Sequence, residues 1–277
     1  MRTIRKKSMF NILLVISVAL VLSGCSQSDT AKLTLTGSST IAPLVMELGR
    51  AFEKLHPNVR IDVQTGGSSR GVADARAGLA DIGMVSRELK QSESDLLPHA
   101  IAYDGIALII NKNNPIKVLS DKQIIAIYQG HIDNWQEVGG PDQVITVVNK
   151  AEGRSTLELF LKYFKLNNRE IKADIVIGDN QQGVKTVAGN HWAIAYISVG
   201  AAEYEEQHGT PIKLLGVGGE TASISSIKQG RYPLSRPLNI VTLDEPLGLA
   251  KEFIEFAQSS QVLGLVEQQY FIPINAH

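Results

Sequence analysis

Four loops rich in Ser, Thr and Gly follow predicted strands, and these residue types can donate hydrogen bonds to an anion. Three of the loops lead directly into a predicted helix, whose first turn presents unpaired backbone N–H groups and the positive end of the helix dipole. Hydroxyl groups add further donors, and Gly lets the backbone approach an ion closely. Together the loops predict a cage of neutral donors around a small oxyanion. They are Gly37–Thr40, Gly66–Gly71, Ser86–Arg87 and Lys150–Thr156.

Each loop also has a plainer explanation. Ser and Thr before a helix are commonly N-caps, a Gly–Ser loop can face solvent, and Arg87, Lys150 and Arg154 can be surface charges. The same design recurs at equivalent places in two α/β units, which favours the anion site. The glycine loop is not a nucleotide-binding motif, because it has neither the P-loop spacing nor a Rossmann G-x-G-x-x-G.

The elements that must position these loops alternate between strands and helices. Alternating apolar residues in Lys32–Thr36 and Arg60–Gln64 predict strands, whereas the apolar spacing of Ile41–Leu55 predicts a helix. This order is typical of a mostly parallel α/β sheet. The pattern restarts after the extended segment Ile101–Asn111, and a second extended segment, Tyr232–Thr242, follows the second unit. Two α/β units and two extended crossings predict a bilobed body with a ligand cleft between its lobes.

The N-terminal segment predicts export. Four basic residues precede an apolar run that is too short to span a bilayer as a permanent helix. The run ends in Leu22-Ser23-Gly24-Cys25, which resembles a lipobox, where the cysteine is diacylated and the chain is cut before it. The alternative is an ordinary secretory signal with a chance cysteine. We expect a lipoprotein anchored through Cys25 and facing the periplasm or the cell exterior.

The predicted boundaries follow from the signal and from the two crossings. They are residues 1–24 for the signal peptide, 25–31 for a polar tether, 32–105 and 235–277 for the first lobe, and 106–234 for the second lobe.

Composition excludes several classes of protein. The chain has 27 Lys and Arg against 28 Asp and Glu. Cleavage before Cys25 would remove four basic residues and no acidic ones, leaving 23 against 28, a net charge of about −5. This excess argues against nucleic-acid binding, which needs a basic face. The six His residues are dispersed without metal-ligand spacing, so a phosphatase is the least favoured reading. We predict no catalytic residue, no metal and no cofactor.

Longer motifs resemble the phosphate-binding lipoproteins of ABC importers, the PstS-type solute-binding family. They occur in order through the whole mature chain. The resemblance implies a type II fold like that of periplasmic binding proteins, with two α/β lobes that have central mixed sheets and are joined by two hinge crossings. It also implies a monomer that closes on inorganic phosphate and delivers it to an ABC permease. The motifs are TGSST (36–40), QTGGSSRG (64–71), ADIGMVSREL (80–89), YDGIALIINKNNP (103–115), IYQGHIDNWQEVGG (127–140), VVNKAEGRST (147–156), AIAYISVG (193–200) and YPLSRPL (232–238).

The resemblance assigns phosphate contacts by position in the motifs. The family's contacts fall in the four polar loops, with Ser69 as a neighbouring candidate. The implied set is Ser39, Thr40, Ser68, Ser69, Arg87, Lys150, Arg154, Ser155 and Thr156.

Two departures from the family pattern bear on selectivity. Lys150 stands where the family usually has Arg, so we expect Arg154 to supply the planar guanidinium that an ammonium cannot replace. Arg87 stands where one branch has an Asp that accepts the proton of hydrogen phosphate and so rejects sulfate. Either Glu152, Asp81 or Asp104 acts as the acceptor, or none does. A receptor or sensor for sulfate or molybdate therefore stays open as an alternative.

Overall fold

The structure, a computed structural model, describes residues 30–274. From Lys32 onward the chain forms one compact unit. The predicted signal peptide, Cys25 and most of the predicted tether lie outside the described residues. Within residues 30–274, no helix is both long enough and apolar enough to cross a bilayer.

Ten strands in the described part of the chain form one mixed sheet. Its strand order is β2-β1-β3-β9-β4-β7-β5-β6, and β8 and β10 also pair with β4. The strands are β1 (Ala31–Gly37), β2 (Val59–Thr65), β3 (Ile82–Val85), β4 (Leu97–Asn111), β5 (Thr146–Lys150), β6 (Ile175–Ile177), β7 (Ala193–Ser198), β8 (Ile212–Leu215), β9 (Ser235–Thr242) and β10 (Ile272–Pro273).

Nine α-helices connect these strands within residues 30–274. They are α1 (Ala42–Leu55), α2 (Ser68–Arg76), α3 (Asp121–Tyr128), α4 (Ser155–Phe164), α5 (Asn180–Gly189), α6 (Val199–Gln207), α7 (Ile224–Lys228), α8 (Gly248–Ala257) and α9 (Leu263–Gln268). Short 3-10 helices lie at Gln91–Glu93, Trp135–Val138, Asn168–Glu170 and Ser260–Val262.

The predicted α/β fold class is confirmed. Strand β1 pairs in parallel with β3, and β5 pairs in parallel with β6 and β7, as strand–helix–strand order predicts. Strand β9 is antiparallel to both β3 and β4, which makes the sheet mixed. The polar loops therefore lie at strand ends, where α/β proteins commonly bind ligands.

Strand β4 is long enough to serve two hydrophobic cores. Its first part pairs with β9, from Leu97 opposite Thr242 to Gly105 opposite Ser235, and its last part pairs with β7 and β8. The buried residues of one large core lie within 33–102 and 238–271. Those of a second large core lie within 106–234, together with Ile272. We call residues 32–105 with 235–274 the first half and residues 106–234 the second half. Strands β4 and β9 carry the chain between them.

Candidate functional site

Ten polar residues are buried together where the two halves meet at β4 and β9. Buried polar groups cost free energy unless they are hydrogen-bonded, so a concentration of them indicates a binding site or a structural network. We call this set the polar cluster. Its members are Ser38, Thr40, Ser68, Ser86, Asp104, Lys150, Ser155, Thr156, Asn180 and Arg236.

Serine hydroxyls from both halves contact one another in the polar cluster. Ser38 Oγ donates to Ser86 Oγ at 2.9 Å, and Ser86 Oγ lies 2.9 Å from Ser155 Oγ. Ser68 Oγ also contacts Ser155 Oγ and accepts the backbone N–H of Ser86 at 3.2 Å. Ser155 belongs to the second half, whereas its two partners, Ser68 and Ser86, belong to the first, as does Ser38. The hydroxyls thus form a continuous link across the boundary.

The sequence places Ser68 and Ser155 at the first residues of helices. Ser68 begins α2 and Ser155 begins α4, so their backbone N–H groups belong to the set that has no acceptor within the helix. Gly37 holds the loop before α2 in place, because its carbonyl accepts the N–H groups of Gly66 (2.9 Å) and Gly67 (2.8 Å). Gly37 has φ +130°, and a Cβ there would collide with Met84 O, so only glycine fits.

The guanidinium of Arg236 joins the hydroxyls of both halves. Its Nη1 donates to Thr156 Oγ1 at 3.1 Å and to the carbonyl of Ser86 at 3.3 Å. Its Nη2 donates to Asp104 Oδ2 at 2.8 Å and to Thr40 Oγ1 at 3.4 Å. The side chains of Arg236 and Asp104 are 1% and 0% exposed, so this ion pair is completely buried.

The register of the two crossing strands creates this ion pair. Asp104 on β4 lies directly opposite Arg236 on β9, and directly opposed residues project from the same face of a sheet. The second oxygen of Asp104, Oδ1, accepts the backbone N–H of Gly200 at 3.1 Å. Both carboxylate oxygens therefore already have donors.

Lys150 ends β5 and points into the polar cluster. Its Nζ donates to Asn180 Oδ1 at 3.1 Å, and Asn180 Nδ2 in turn donates to Thr40 Oγ1 at 3.4 Å. Because Thr40 is in the first half, this chain is a second polar link between the halves.

Burial lowers the pKa of the Lys150 amine to about 7. The carboxylate of Asp179 opposes this shift by raising the pKa, and the positive charges of Arg236 and Arg154 lower it further. The site thus has a lysine that is only partly protonated near pH 7.

Five of the nine predicted contact residues meet in the polar cluster. Their side chains provide hydroxyls and one amine, which are the donors that an oxyanion needs. They are Thr40, Ser68, Lys150, Ser155 and Thr156.

Ser39 and Ser69 lie beside the polar cluster. Ser39 is half-buried and lines an adjacent cavity of about 440 Å³ together with Asp179. Ser69 connects the halves in another way, since its N–H donates to the carbonyl of Gly153 at 3.2 Å and its Oγ donates to Glu158 at 3.4 Å.

The structure does not bring the guanidinium of Arg87 into the polar cluster. It is held by two carboxylates instead, with Nη1 2.6 Å from Glu93 Oε2 and Nε 2.7 Å from Glu158 Oε2. Only the preceding residue, Ser86, contributes to the cluster. A guanidinium neutralised by two carboxylates has little charge left for an anion.

Within residues 30–274, the guanidinium of Arg154 makes no hydrogen bond to the polar cluster, unlike that of Arg236. The side chain of Arg154 lies close to Gly67 and Gly178. A Cβ added at Gly67 would lie 2.9 Å from Cδ of Arg154, and a Cβ added at Gly178 would lie 3.4 Å from its Nη2. Its buried Nε has no hydrogen-bond partner within residues 30–274. The planar group hydrogen-bonded to the cluster hydroxyls is therefore that of Arg236, within the YPLSRPL motif.

Of the three acidic residues considered as acceptors, only Asp104 is in the polar cluster. Asp81 is exposed and accepts the N–H of Thr34 at 2.7 Å, and Glu152 is exposed and accepts from Asn168 at 3.0 Å. Groups of three or more His, Cys, Asp or Glu residues that could hold a metal ion do not occur within residues 30–274.

Comparisons with known proteins agree on one family. A model of the PBP superfamily domain matches residues 25–261. Phosphate-binding protein PstS of Bacillus subtilis is 28% identical over 291 residues, covering 98% of this chain and 95% of the relative. Phosphate-binding protein PstS of Staphylococcus haemolyticus is 30% identical and covers 79% of this chain and 74% of its own length.

A solved structure with similar sequence has the same fold. It is a protein from Clostridium perfringens, described as a phosphate ABC transporter substrate-binding protein and solved with bound phosphate. It is 33% identical with a TM-score of 0.81 and covers 88% of this chain and 100% of its own. These relatives are binding proteins rather than enzymes. The chain therefore belongs to the PBP superfamily and, within it, to the PstS-type family of phosphate-binding proteins.

Proposed function

We propose that the protein captures inorganic phosphate in the polar cluster and delivers it to the membrane permease of an ABC importer. The observation that carries the proposal is the contact of Ser155, from the second half, with Ser68 and Ser86 of the first. A hydroxyl hydrogen rotates freely, so hydroxyls that now bond one another can turn together toward an anion. Their convergence from both halves suits an ion enclosed between two lobes.

The charges of the site also suit a small anion. Arg236 contributes a cationic side chain and Lys150 an amine that can be protonated, and the first turns of α2 and α4 contribute backbone N–H groups and helix dipoles. We propose that these groups bind the ion together with Thr40, Ser68, Ser155 and Thr156. Ser39 and Arg154 would complete the site from its edge.

The two halves would act as the lobes of a hinged receptor. Residues 32–105 and 235–277 would form one lobe and residues 106–234 the other, with β4 and β9 as the hinge. The Arg87–Glu158 ion pair and the Ser69–Gly153 hydrogen bond join the halves beside the site. In this proposal they hold the closed form rather than touch the ion.

We further propose that the mature protein is a monomer held at the membrane surface by lipid on Cys25, outside the cytoplasm. Support for the lipid anchor comes from the lipobox-like sequence that ends in Cys25. The protein would bind without catalysing a reaction.

One observation favours a second candidate, a receptor for another oxyanion such as sulfate. Asp104, the carboxylate of the polar cluster, already accepts from Arg236 and Gly200. The polar cluster has no second carboxylate that could accept a hydrogen bond from the proton of hydrogen phosphate. Selectivity against sulfate would then have to come from other groups.

Isothermal titration of the purified protein with phosphate, sulfate and molybdate tests both candidates. We expect phosphate to bind with a dissociation constant of about 1 μM or tighter, and more tightly than the other ions. Ser68→Ala should weaken phosphate binding at least tenfold, whereas Ser225→Ala, at an exposed serine on α7, should leave it unchanged. Tighter binding of sulfate or molybdate would favour the second candidate, and no heat with any of the ions would exclude both.

A further inference from the structure

We propose that Lys150 is an uncharged amine while the site is empty and takes up one proton when the anion binds. Anion capture would then be coupled to proton uptake at this side chain. The inference rests on the proposed function and concerns the same site. It adds a specific role for a residue that differs from the family's usual Arg.

The surroundings of Lys150 suit an amine better than an ammonium. The residue is 3% exposed, and its Nζ donates one hydrogen bond within residues 30–274, to Asn180 Oδ1. An ammonium has three N–H donors and needs partners for all of them when buried. The carboxylate of the polar cluster, that of Asp104, is already paired with Arg236 at 2.8 Å.

Charged groups on the elements around Lys150 also influence the pKa of its amine. Arg236 on β9 and Arg154 at the start of α4 both disfavour a further positive charge. Asp179 favours the charge but is itself engaged as the N-cap of α5, where it accepts the N–H of Gln182 at 2.8 Å. These opposing influences, together with burial, agree with the lowered pKa of about 7.

The uncharged side chain of Tyr196, on β7, also lies next to Lys150. Its hydroxyl accepts the backbone N–H of Lys150 at 3.3 Å and donates to Asn149 Oδ1 at 2.5 Å. Burial raises the pKa of this phenol well above its usual value, so it stays neutral and supplies no negative charge.

A doubly charged anion would supply the counter-ion that Lys150 lacks. Above neutral pH, the dianion and one proton from solvent enter together, and the amine becomes an ammonium beside the ion. Monoanionic phosphate would instead pass its own proton to Nζ, which yields the same bound state without a solvent proton. An Arg at this position would be charged throughout and would take up no proton.

The proposal has a measurable consequence for affinity. If binding requires one solvent proton, the association constant for the dianion falls up to tenfold for each pH unit above the pKa of Lys150 in the empty site. The Lys150→Arg variant keeps a positive charge at every pH, so its affinity should not share this dependence.

Calorimetry in buffers of different ionisation enthalpy measures the protons directly. At about pH 8.5, where inorganic phosphate is mostly dianion, we expect native protein to take up close to one proton per phosphate bound. Lys150→Arg should take up close to none, and Lys185→Arg, at an exposed lysine on α5, should behave like native protein. Uptake near zero in native protein, or equal uptake in native protein and Lys150→Arg, would overturn the proposal.

A second measurement does not depend on any variant retaining affinity. The ¹³Cε resonance of Lys150, identified by its loss in Lys150→Arg, reports the charge of the amine. We expect it to titrate near pH 7 in the empty protein and to stay in the ammonium position to at least pH 9 with saturating phosphate. An ammonium position at pH 9 in the empty protein would overturn the proposal. Phosphate binding without proton uptake would leave the proposed function intact, whereas absence of phosphate binding would refute both.

Discussion

At the scale of single residues, Arg236 is the side chain whose hydrogen bonds join the parts of the site. It contacts Asp104 on β4, Thr40 and Ser86 in the first half, and Thr156 in the second. A planar group with five N–H donors can hold such a set together, whereas an ammonium cannot match its fixed geometry.

Arg236→Lys should therefore weaken phosphate binding at least tenfold while keeping the charge that pairs with Asp104. The matched variant Arg154→Lys should change affinity less than threefold, because Arg154 makes no hydrogen bond to the cluster. Calorimetric titration of both variants measures the difference. A larger loss of phosphate affinity in Arg154→Lys than in Arg236→Lys would show that Arg154 supplies the guanidinium contact, as expected from the sequence.

Lys150 should also affect stability in a pH-dependent way. Its pKa is about 7 in the folded protein against the usual 10.5 of a lysine in the unfolded chain, so between these values the unfolded chain binds more protons. The free energy of unfolding of the empty protein should rise with pH over this range and fall as pH drops through 7.

Lys150→Met removes the buried amine and with it this pH dependence. The variant should be more stable than native protein at about pH 6, and its advantage should shrink by about pH 9. Urea unfolding of both proteins without phosphate measures the trend. An advantage that grows with pH would contradict the lowered pKa.

The sequence was most informative about residues near their own strand end or helix start. Ser68, Ser155 and Thr156 lie in polar loops that precede predicted helices, so the local pattern marked their loops, and the family resemblance then selected the residues. Arg236 appeared in the sequence analysis only as part of the YPLSRPL motif, and no role was predicted for it. Its contact with Asp104 joins positions that are 132 residues apart. Such a contact depends on the register of β4 and β9, which a local pattern does not contain.

At the scale of elements, helix α4 connects the two halves in addition to supplying Ser155 and Thr156. Glu158, one turn into α4, forms ion pairs with Arg87 at 2.7 Å and with Lys90 at 3.0 Å, both from the first half. Since Arg87 keeps a second partner in Glu93, removing Glu158 would not leave an isolated buried charge.

Glu158→Gln should accordingly speed the release of phosphate, because it removes contacts that hold the halves together without touching the polar cluster. We expect a several-fold increase in the dissociation rate, measured by stopped-flow fluorescence of a labelled protein. Glu255→Gln is the control, since the ion pair that Glu255 forms among the described residues is with Lys251, on its own exposed helix face. Equal rates in native protein and Glu158→Gln would show that these ion pairs do not hold the closed form.

Elements with clear periodicity were predicted well and those without it were missed. The expected helix Ile41–Leu55 is observed as Ala42–Leu55, and the expected strand Arg60–Gln64 is observed as Val59–Thr65. Helix α6 was not predicted, because its nine residues include few large apolar side chains and bury only Val199, Gly200 and Ala202. Strand β8 was missed because it is four residues long and contains a lysine.

At the scale of the whole molecule, one continuous sheet carries a large hydrophobic core in each half. The fold class could be predicted because alternating strands and helices leave few ways to pack an α/β chain. The lobe boundaries at 105/106 and 234/235 stay a prediction, although the membership of the cores suggests where the chain would bend. The polar cluster lies where those boundaries meet, so closure of the halves and enclosure of an ion would be the same event.

A crystal structure of the protein grown with phosphate tests this account most directly. The account predicts one phosphate in the polar cluster, with its oxygens within hydrogen-bond distance of Ser68, Ser155, Thr156, Lys150 and Arg236, and with Arg87 still paired to Glu158. Phosphate bound elsewhere, or a polar cluster that stays closed on itself at saturating phosphate, would contradict it.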